Sequence, residues 1–438
     1  LRGGDFPPKQ TFGQGGRLLR GKTCREPAEC TAPRSDIRAR AEQLRFFGVV
    51  ARGFSSPGWK VMEVFGDFIA QITCIFSTHG EQFMNTSDNS HNFPLDYWKQ
   101  LKFEFTPTDH MFISQADADG QWTKGEIRHL QDLAISPAAA ALNYGQAAFE
   151  GMKALRTPEG KVVLFRPEEN ARRFRKSATK LVMPPYPVDS FIQAIEDVVN
   201  ANRRWIPDYL HEDDYKYKQP SLYVRPVMIG SGPVLGVSAA PNYTFYIFVS
   251  PVGPYLPGEG KVVVLDSTHR TPLYGTGDVK AAGNYAGTLF SQKFAKSLGY
   301  KDVLYLDAQR YRYVEELSSS NFFAILKDST LVTPPLSGSI LPGITRDSVI
   351  TIAREIFGWK VTERAIDIQE LLESTQEIFF TGTAAVVQPI TEISYQGKSC
   401  TIGTGKKGEK TNELHQCLIE IQTQQRADPF GWVRAINV

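Results

Sequence analysis

Thr276-Gly277-Asp278-Val279-Lys280-Ala281-Ala282-Gly283-Asn284-Tyr285-Ala286-Gly287 sets one lysine among small residues, with a tyrosine five positions on. A lysine in a loop is ordinarily a solvated charge. The same amine becomes a nucleophile when it is partly buried and meets a carbonyl. Small neighbours leave room for a planar ring beside it, and Tyr285 is near enough to hydrogen-bond a phenolic oxygen on such a ring. Local sequence leaves both readings of Lys280 open, so the rest of the chain has to decide between them.

The chain has 438 residues, enough for two ordinary domains and a tail. A hydrophobic fraction of 42% and a charged fraction of 22% are those of a soluble globular protein. The net charge of +2 gives no reason to expect nucleic acid or a membrane surface as partner. The charge is unevenly spread: residues 1–60 hold twelve Lys/Arg against five Asp/Glu, and the remainder is mildly acidic. Cys24, Cys30, Cys74, Cys400 and Cys417 show no disulfide framework, and the seven histidines show no ligand spacing, so no metal is expected. The longest apolar run, 61–76, contains Glu63 and Asp67 and is too short to span a bilayer.

Residues 1–58 are rich in Arg, Gly, Pro and Ser, the composition of a transit peptide or disordered tail. Arg52-Gly53-Phe54-Ser55-Ser56 is similar to the Arg-x-Phe-Ser cleavage signal of plant mitochondrial presequences. That favours the mitochondrion slightly over the plastid. The segment 60–95, with its polar cluster at 85–91, fits no element. From about Phe103 onward, strand-like runs alternate with helical patterns. Runs 111–114, 162–165, 221–228, 243–250, 261–265, 303–306 and 321–326 read as strands, and 287–298 and 346–357 as helices. Pro167-Glu168-Glu169 opens a helix, with Ala171, Phe174, Ala178, Leu181 and Val182 at helical spacing. The Pro/Gly-rich run 251–258 breaks regular structure. We read an α+β chain: 1–95 a presequence-like or unplaced extension, 96–255 a small N-terminal α+β domain, 256–268 an interdomain linker and first strand, and 269–438 a large C-terminal domain.

Two generic motifs fail on context. Gly403-Thr404-Gly405-Lys406-Lys407-Gly408 fits G-x-G-x-x-G, but only one helical segment, 412–425, follows it, so a turn before the last helix is the better reading. Ser177-Ala178-Thr179-Lys180 matches S-x-x-K without its companion motifs in order.

A resemblance then decides Lys280. The run 277–285 resembles the pyridoxal-phosphate (PLP) lysine segment of branched-chain aminotransferases, members of the fold-type IV PLP enzymes. Leu142-Asn143-Tyr144-Gly145-Gln146-Ala147-Ala148-Phe149-Glu150-Gly151-Met152-Lys153-Ala154 resembles the family's N-terminal signature. Leu164-Phe165-Arg166-Pro167, Tyr223-Val224-Arg225-Pro226, Leu341-Pro342-Gly343-Ile344-Thr345-Arg346 and Thr381-Gly382-Thr383-Ala384 follow in the family's order. Each is weak alone; the ordered set is specific. The wording 315–321 is plant-like.

The resemblance implies a two-domain fold-type IV aminotransferase with a C-terminal PLP-binding domain. Lys280 would carry the cofactor and move the proton between the substrate α-carbon and C4′. Glu316 would partner the pyridine nitrogen; Glu315 competes, and the five-residue spacing to Asn321 favours Glu316. Arg173 would bind phosphate, with the N–H groups of Ile344 and Thr345 as a cradle. Thr383 and Ser319 would add donors, Arg270 a secondary phosphate or loop contact, and Tyr285 a contact to the ring oxygen. On the substrate side, Thr383-Ala384 would receive the α-carboxylate, and Tyr144, Phe149 and Tyr255 would form an apolar pocket. Arg225 with Tyr223 would take the second carboxylate of glutamate. The implied reaction moves an amino group between leucine, isoleucine or valine and 2-oxoglutarate, in a homodimer whose active site lies near the interface. Some animal relatives carry a Cys-x-x-Cys pair where this chain has Ala385 and Gln388, so that thiol control is expected to be absent. The alternatives are a D-amino-acid aminotransferase or aminodeoxychorismate lyase of the same fold, and a non-enzymatic binding paralogue.

Overall fold

The computed structural model describes residues 93–255, 260–265 and 267–437. The basic segment, the Arg52–Ser56 motif, Cys24, Cys30, Cys74 and the cluster at 85–91 lie outside the described residues, as do 256–259 in the expected linker.

Chain order builds one lobe first. Strands β1 (His110–Ala116), β2 (Glu126–His129), β3 (Ala147–Phe149), β4 (Met152–Arg156), β5 (Val162–Phe165), β6 (Ser221–Gly230) and β7 (Tyr243–Val252) form an antiparallel sheet centred on the long β6–β7 hairpin. Two helices, α1 (Pro167–Lys180) and α2 (Val188–Ala201), pack on it. Proline suits the first position of α1, Glu168 and Glu169 sit where the helix dipole favours negative charge, and Ala171, Phe174 and Ala178 are buried as their spacing requires. Phe245 of β7 is the centre of this core, its ring 5.4 Å from Phe174, 5.9 Å from Phe191 and 4.3 Å from Tyr186.

The second lobe holds β8 (Gly260–Val264), β9 (Asp302–Leu306), β10 (Val314–Leu317), β11 (Asn321–Leu326), β12 (Leu331–Thr333), β13 (Val361–Glu363), β14 (Thr375–Gly382), β15 (Val386–Tyr395) and β16 (Lys398–Thr401). Its strands run in the order β10-β9-β8-β15-β14-β11, and the single pair Glu316↔Asn321 joins β10 back to β11. The sheet therefore closes on itself as a barrel. Phe322 and Ala324 of β11 fill its inside, while Phe323 and Ile325 face the outer helices. Both faces are covered, which is why 321–326 reads as an unbroken apolar run after Asn321.

Those helices are α3 (Ile344–Thr351) and α4 (Glu409–Gln422). The sequence placed α3 at 346–357. It begins two residues earlier, and Ile352–Ile356 continues it as a π-helical turn. Gly408 precedes α4, and the N–H groups of Lys410 and Thr411 donate to Glu377 at 3.2 and 2.8 Å. A carboxylate of the chain itself thus fills that helix end, in keeping with the reading of the glycine-rich run as a turn.

The final strand, β17 (Val433–Ile436), leaves the second lobe and pairs with β5 of the first sheet. The chain end therefore ties the lobes together, an exchange that composition does not signal. Among the described residues no helix is long and apolar enough to cross a membrane. Truncating Phe245 to alanine should destabilise the first lobe by about 3–5 kcal/mol, measured by denaturant unfolding, because its neighbours are drawn from two helices and cannot collapse into the void.

Candidate active site

Lys280 lies at the seam between the lobes. Its backbone N–H donates to Ser177 Oγ on α1 at 3.0 Å, and its carbonyl accepts from Phe149 N–H on β3 at 3.2 Å. Gly277 makes this loop possible: a Cβ there would stand 2.1 Å from the Ser339 carbonyl oxygen. The half-buried amine donates to Tyr285 Oη at 2.9 Å and sits 4.4 Å from the centre of the Phe149 ring.

The barrel closure supplies the next group. Glu316 is 2% exposed. Its Oε1 accepts from the Leu341 N–H at 3.0 Å and lies 3.1 Å from Arg270 Nη2, and its Oε2 accepts from Asn321 Nδ2 at 3.0 Å. Burial pushes this carboxyl up to about 7, against the pull of Arg270 and the Leu341 N–H. Glu315 points elsewhere and accepts from Ser339 Oγ. Strand alternation separates the two acids, so only Glu316 lines the cavity below Lys280.

In the same cavity, α3 begins after Gly343 with no side-chain cap. Ile344 and Thr345 line the cavity, and the first-turn N–H groups of such a helix attract anions. Gly343 is required here because a Cβ would come within 1.9 Å of Asn321 Oδ1. Arg173 also lines this cavity, but Nε and Nη2 of its guanidinium are held by Glu150 at 2.7 and 2.8 Å, and Nη1 donates to the Pro342 carbonyl at 3.1 Å. Glu150 is fully buried and also accepts from Asn170. Burial alone would raise its pKa; Arg173, with help from Lys280 and Asn170, brings it below the usual carboxylate range.

These groups surround one cavity of 460 Å³. It brings together Lys280, Tyr285, Glu316, Arg173, Ile344, Thr345, Ser319 and Thr383, and on another wall Phe149, Tyr223, Arg225, Tyr255 and Ala384. Two expected residues are placed differently. Tyr144 does not line the cavity; it is 43% exposed and its hydroxyl donates to the Leu235 carbonyl. Arg270 does not line the cavity either; of its two expected roles it makes the loop contact, its guanidinium held by Glu316 and the Ser339 carbonyl. Sequence reasoning missed Glu150, Thr381 and Phe103. The acid inside the apolar run 147–152 was a usable signal for Glu150. Thr381 opens the family-like run 381–384 but was given no role there, and nothing local marks Phe103, whose ring meets Tyr223 and Tyr255 edge-on at 5.3 and 5.0 Å.

Residues 147–393 match the family model of class IV amino-transferases. The chain belongs to the class IV aminotransferases. It is 44% identical over 340 residues to chloroplastic branched-chain-amino-acid aminotransferase 3 of Arabidopsis thaliana, covering 76% of this chain and 79% of the relative. It is 41% identical over 344 residues to mitochondrial branched-chain amino acid aminotransferase 1 of Humulus lupulus, covering 78% and 84%. Among solved structures, the T.th. branched-chain amino acid aminotransferase complexed with N-(5′-phosphopyridoxyl)-L-glutamate superposes with a TM-score of 0.63 at 27% identity, over 76% of this chain and all of that one.

Aminotransferases of this fold use PLP, and the residues of this cavity fit it. The hydroxyl of Thr381 is buried in the cavity wall without a partner, beside the uncapped start of α3, as a phosphate site requires. Glu316 offers a buried carboxylate, the group a protonated ring nitrogen needs, and Lys280 stands in the same cavity.

Two outcomes follow for this aminotransferase. Glu150→Gln leaves the Arg173 charge buried and unpaired, and should cost about 3–5 kcal/mol in unfolding experiments. Glu316 binds its proton more tightly folded than unfolded, so through this group the cofactor-free protein loses stability as pH rises from its ordinary value of 4.5 to about 7. Thermal melts across that interval should show the slope reduced in Glu316→Gln.

Proposed function

We propose that this class IV aminotransferase exchanges an amino group between a branched-chain L-amino acid (leucine, isoleucine or valine) and 2-oxoglutarate, forming a branched 2-oxo acid and glutamate. The observation that carries the reading is one cavity holding the Lys280 amine, the buried Glu316 carboxylate and the uncapped start of α3. The 39–44% identity to branched-chain aminotransferases supports the substrate class.

PLP, when bound, supplies a carbonyl that takes up the amino group and an electron sink for the α-carbon. Lys280 would carry it, and its freed amine would take the proton from the substrate α-carbon and return it at C4′. The clamp on the Lys280 backbone fixes where that amine swings from. Tyr285 would orient the amine and the ring oxygen through one hydroxyl. Glu316, with Arg270 and Asn321 fixing its oxygens, would hold a proton on the ring nitrogen. Ile344, Thr345, Thr381 and Thr383 would donate to the phosphate, with Ser319 at the rim. Arg173 would add positive charge there while Glu150 fixes its orientation.

For the substrate, the Thr383–Ala384 turn would receive the α-carboxylate. Phe149, Tyr223, Tyr255 and Phe103 give an aromatic wall suited to a branched side chain. Arg225 lies 5.1 Å from the ring centres of both Phe149 and Tyr223, and its Nε is buried without a partner. It is the group we assign to the second carboxylate of glutamate and 2-oxoglutarate.

The two lobes would serve as domains, 96–255 and 269–438 joined across 256–268, with β17 crossing back. A homodimer is the expected assembly; Leu235 and Val237, 94% and 87% exposed beside Tyr144, form an apolar patch of the kind that a second copy covers. The basic segment 1–60 and the organellar names of the plant relatives support an organelle, and Arg52–Ser56 favours the mitochondrion.

Borohydride reduction of the holoenzyme should fix the cofactor on one peptide containing Lys280, and labelling of any other peptide would sink the assignment. With a substrate panel, leucine, isoleucine and valine should react with 2-oxoglutarate; activity confined to D-alanine would overturn the substrate reading. Arg225→Met should raise KM for 2-oxoglutarate by about tenfold or more, the loss of a charge-assisted bond, with KM for leucine moved far less.

A further inference from the structure

Behind the Thr383–Ala384 turn lies a second cavity, of 240 Å³. It shares Tyr255, Ala384 and Ala385 with the active-site cavity, and its other lining residues are its own. Its walls are mostly apolar: Val386, Pro389, Ile419, Pro254 and the ring of Tyr217. Into it come three lysines, Lys153, Lys218 and Lys407, with His415. Among the described residues no acidic side chain lines it, and no carboxylate pairs with any of the three lysines.

That combination is unusual. Lys153 and Lys407 are half-buried and Lys218 is exposed, and an unpaired ammonium held against an apolar wall is costly. Here burial pushes Lys153 and Lys407 down to about 8, Lys407 also feeling Lys218. The charges of Lys407 and Lys153 reach His415, which burial holds down to about 4. The four basic groups therefore share one field, and the described residues offer it no counter-charge. Lys153 Nζ donates to the Ala384 carbonyl at 3.1 Å. The ring nitrogens of His415 lie 2.9 and 3.1 Å from the carbonyl oxygens of Val387 and Tyr217.

We infer that this cavity is a second, non-catalytic carboxylate site, taking a small monocarboxylate with an apolar tail. The carboxylate would lie between Lys407 and Lys153, and the tail against Val386, Pro389 and Ile419. Ligands of this chemistry include the branched 2-oxo acids that the proposed reaction makes; the cavity itself is independent of that reading, and only the identification of the natural ligand rests on it. Because Lys153 holds the Ala384 carbonyl, a carboxylate drawing on the same amine loosens the turn that faces the substrate. Occupancy therefore inhibits without competing for the substrate position.

The test uses protein loaded with N-phosphopyridoxyl-leucine, which fills the cofactor and substrate positions together. Tight binding of that adduct checks the active-site reading by itself; its failure refutes the proposed function and leaves the second cavity to be titrated in the unloaded chain. Isothermal titration of 4-methylpentanoate into the loaded protein should show one site. Lys407→Met should weaken it by about tenfold or more, and Lys407→Arg should keep it within about threefold, since only the first removes the charge. Lys407 does not line the active-site cavity, so both variants should retain the wild-type rate at low substrate. Absence of any site in the loaded wild type, or a site indifferent to Lys407→Met, overturns the inference. Acetate binding as tightly as 4-methylpentanoate overturns the role of the apolar walls.

Discussion

The backbone of Lys280 is held from both sides: its N–H by Ser177 of α1, its carbonyl by the N–H of Phe149 on β3. Both partners belong to the first lobe, whereas the loop carrying Lys280 belongs to the second. A lysine chain has four rotatable bonds, so its amine is positioned only as well as its Cα. With the Cα pinned at the seam, the amine reaches Tyr285, and Phe149, whose N–H makes the bond, also presents its ring to the amine. The same seam is reinforced by Arg166, which holds a left-handed backbone at φ 51° while its guanidinium reaches Ser348 and Asp347. The return of β17 to β5 crosses it again. The lobes are joined where the chemistry needs them joined.

Buried charge is organised around that point in two pairs, Glu150 with Arg173 and Glu316 with Arg270. Neither pair is an argument for stability, since taking two ions out of water offsets most of their attraction. Each fixes orientation instead. Glu150 turns Arg173 so that its charge borders the cavity near the start of α3. Arg270, Asn321 and the Leu341 N–H fix both oxygens of Glu316. The closing pair of the barrel, Glu316↔Asn321, is also one of these hydrogen-bonded pairs, so barrel closure and placement of the carboxylate are a single event.

Much of this was legible in the residues. Helical spacing found α1, and strand patterns found β5, β6, β7, β9 and β11 within a few residues, because those segments bury one or both faces regularly. The choice of Glu316 over Glu315 came from the family-like five-residue spacing to Asn321, and in the fold these two residues are the pair that closes the barrel. What local pattern could not give was anything set by pairing across the chain. Arg270 looks like any basic residue ten positions before Lys280; only the folded barrel brings it to Glu316. Tyr144 sits inside a family-like run, yet its helix end turns it toward Leu235. The return of β17 depends on an edge of β5 left open far earlier in the chain.

The turn between β14 and β15 shows how the two sides of one backbone depend on each other. Val386 follows Thr383-Ala384-Ala385 with φ 60°, a left-handed conformation that a β-branched residue adopts only under constraint, at a cost of about 1–3 kcal/mol. Something must hold it there. On the second-cavity side, Lys153 donates to the Ala384 carbonyl and Gln388 Nε2 to the Ala385 carbonyl, each at 3.1 Å. With these carbonyls drawn away from the active site, Thr383 and Ala384 are left to line it. The groups that shape the substrate side of the turn therefore stand outside the substrate cavity. A ligand that takes the Lys153 hydrogen bond away from the Ala384 carbonyl is therefore felt at the turn that lines the active site.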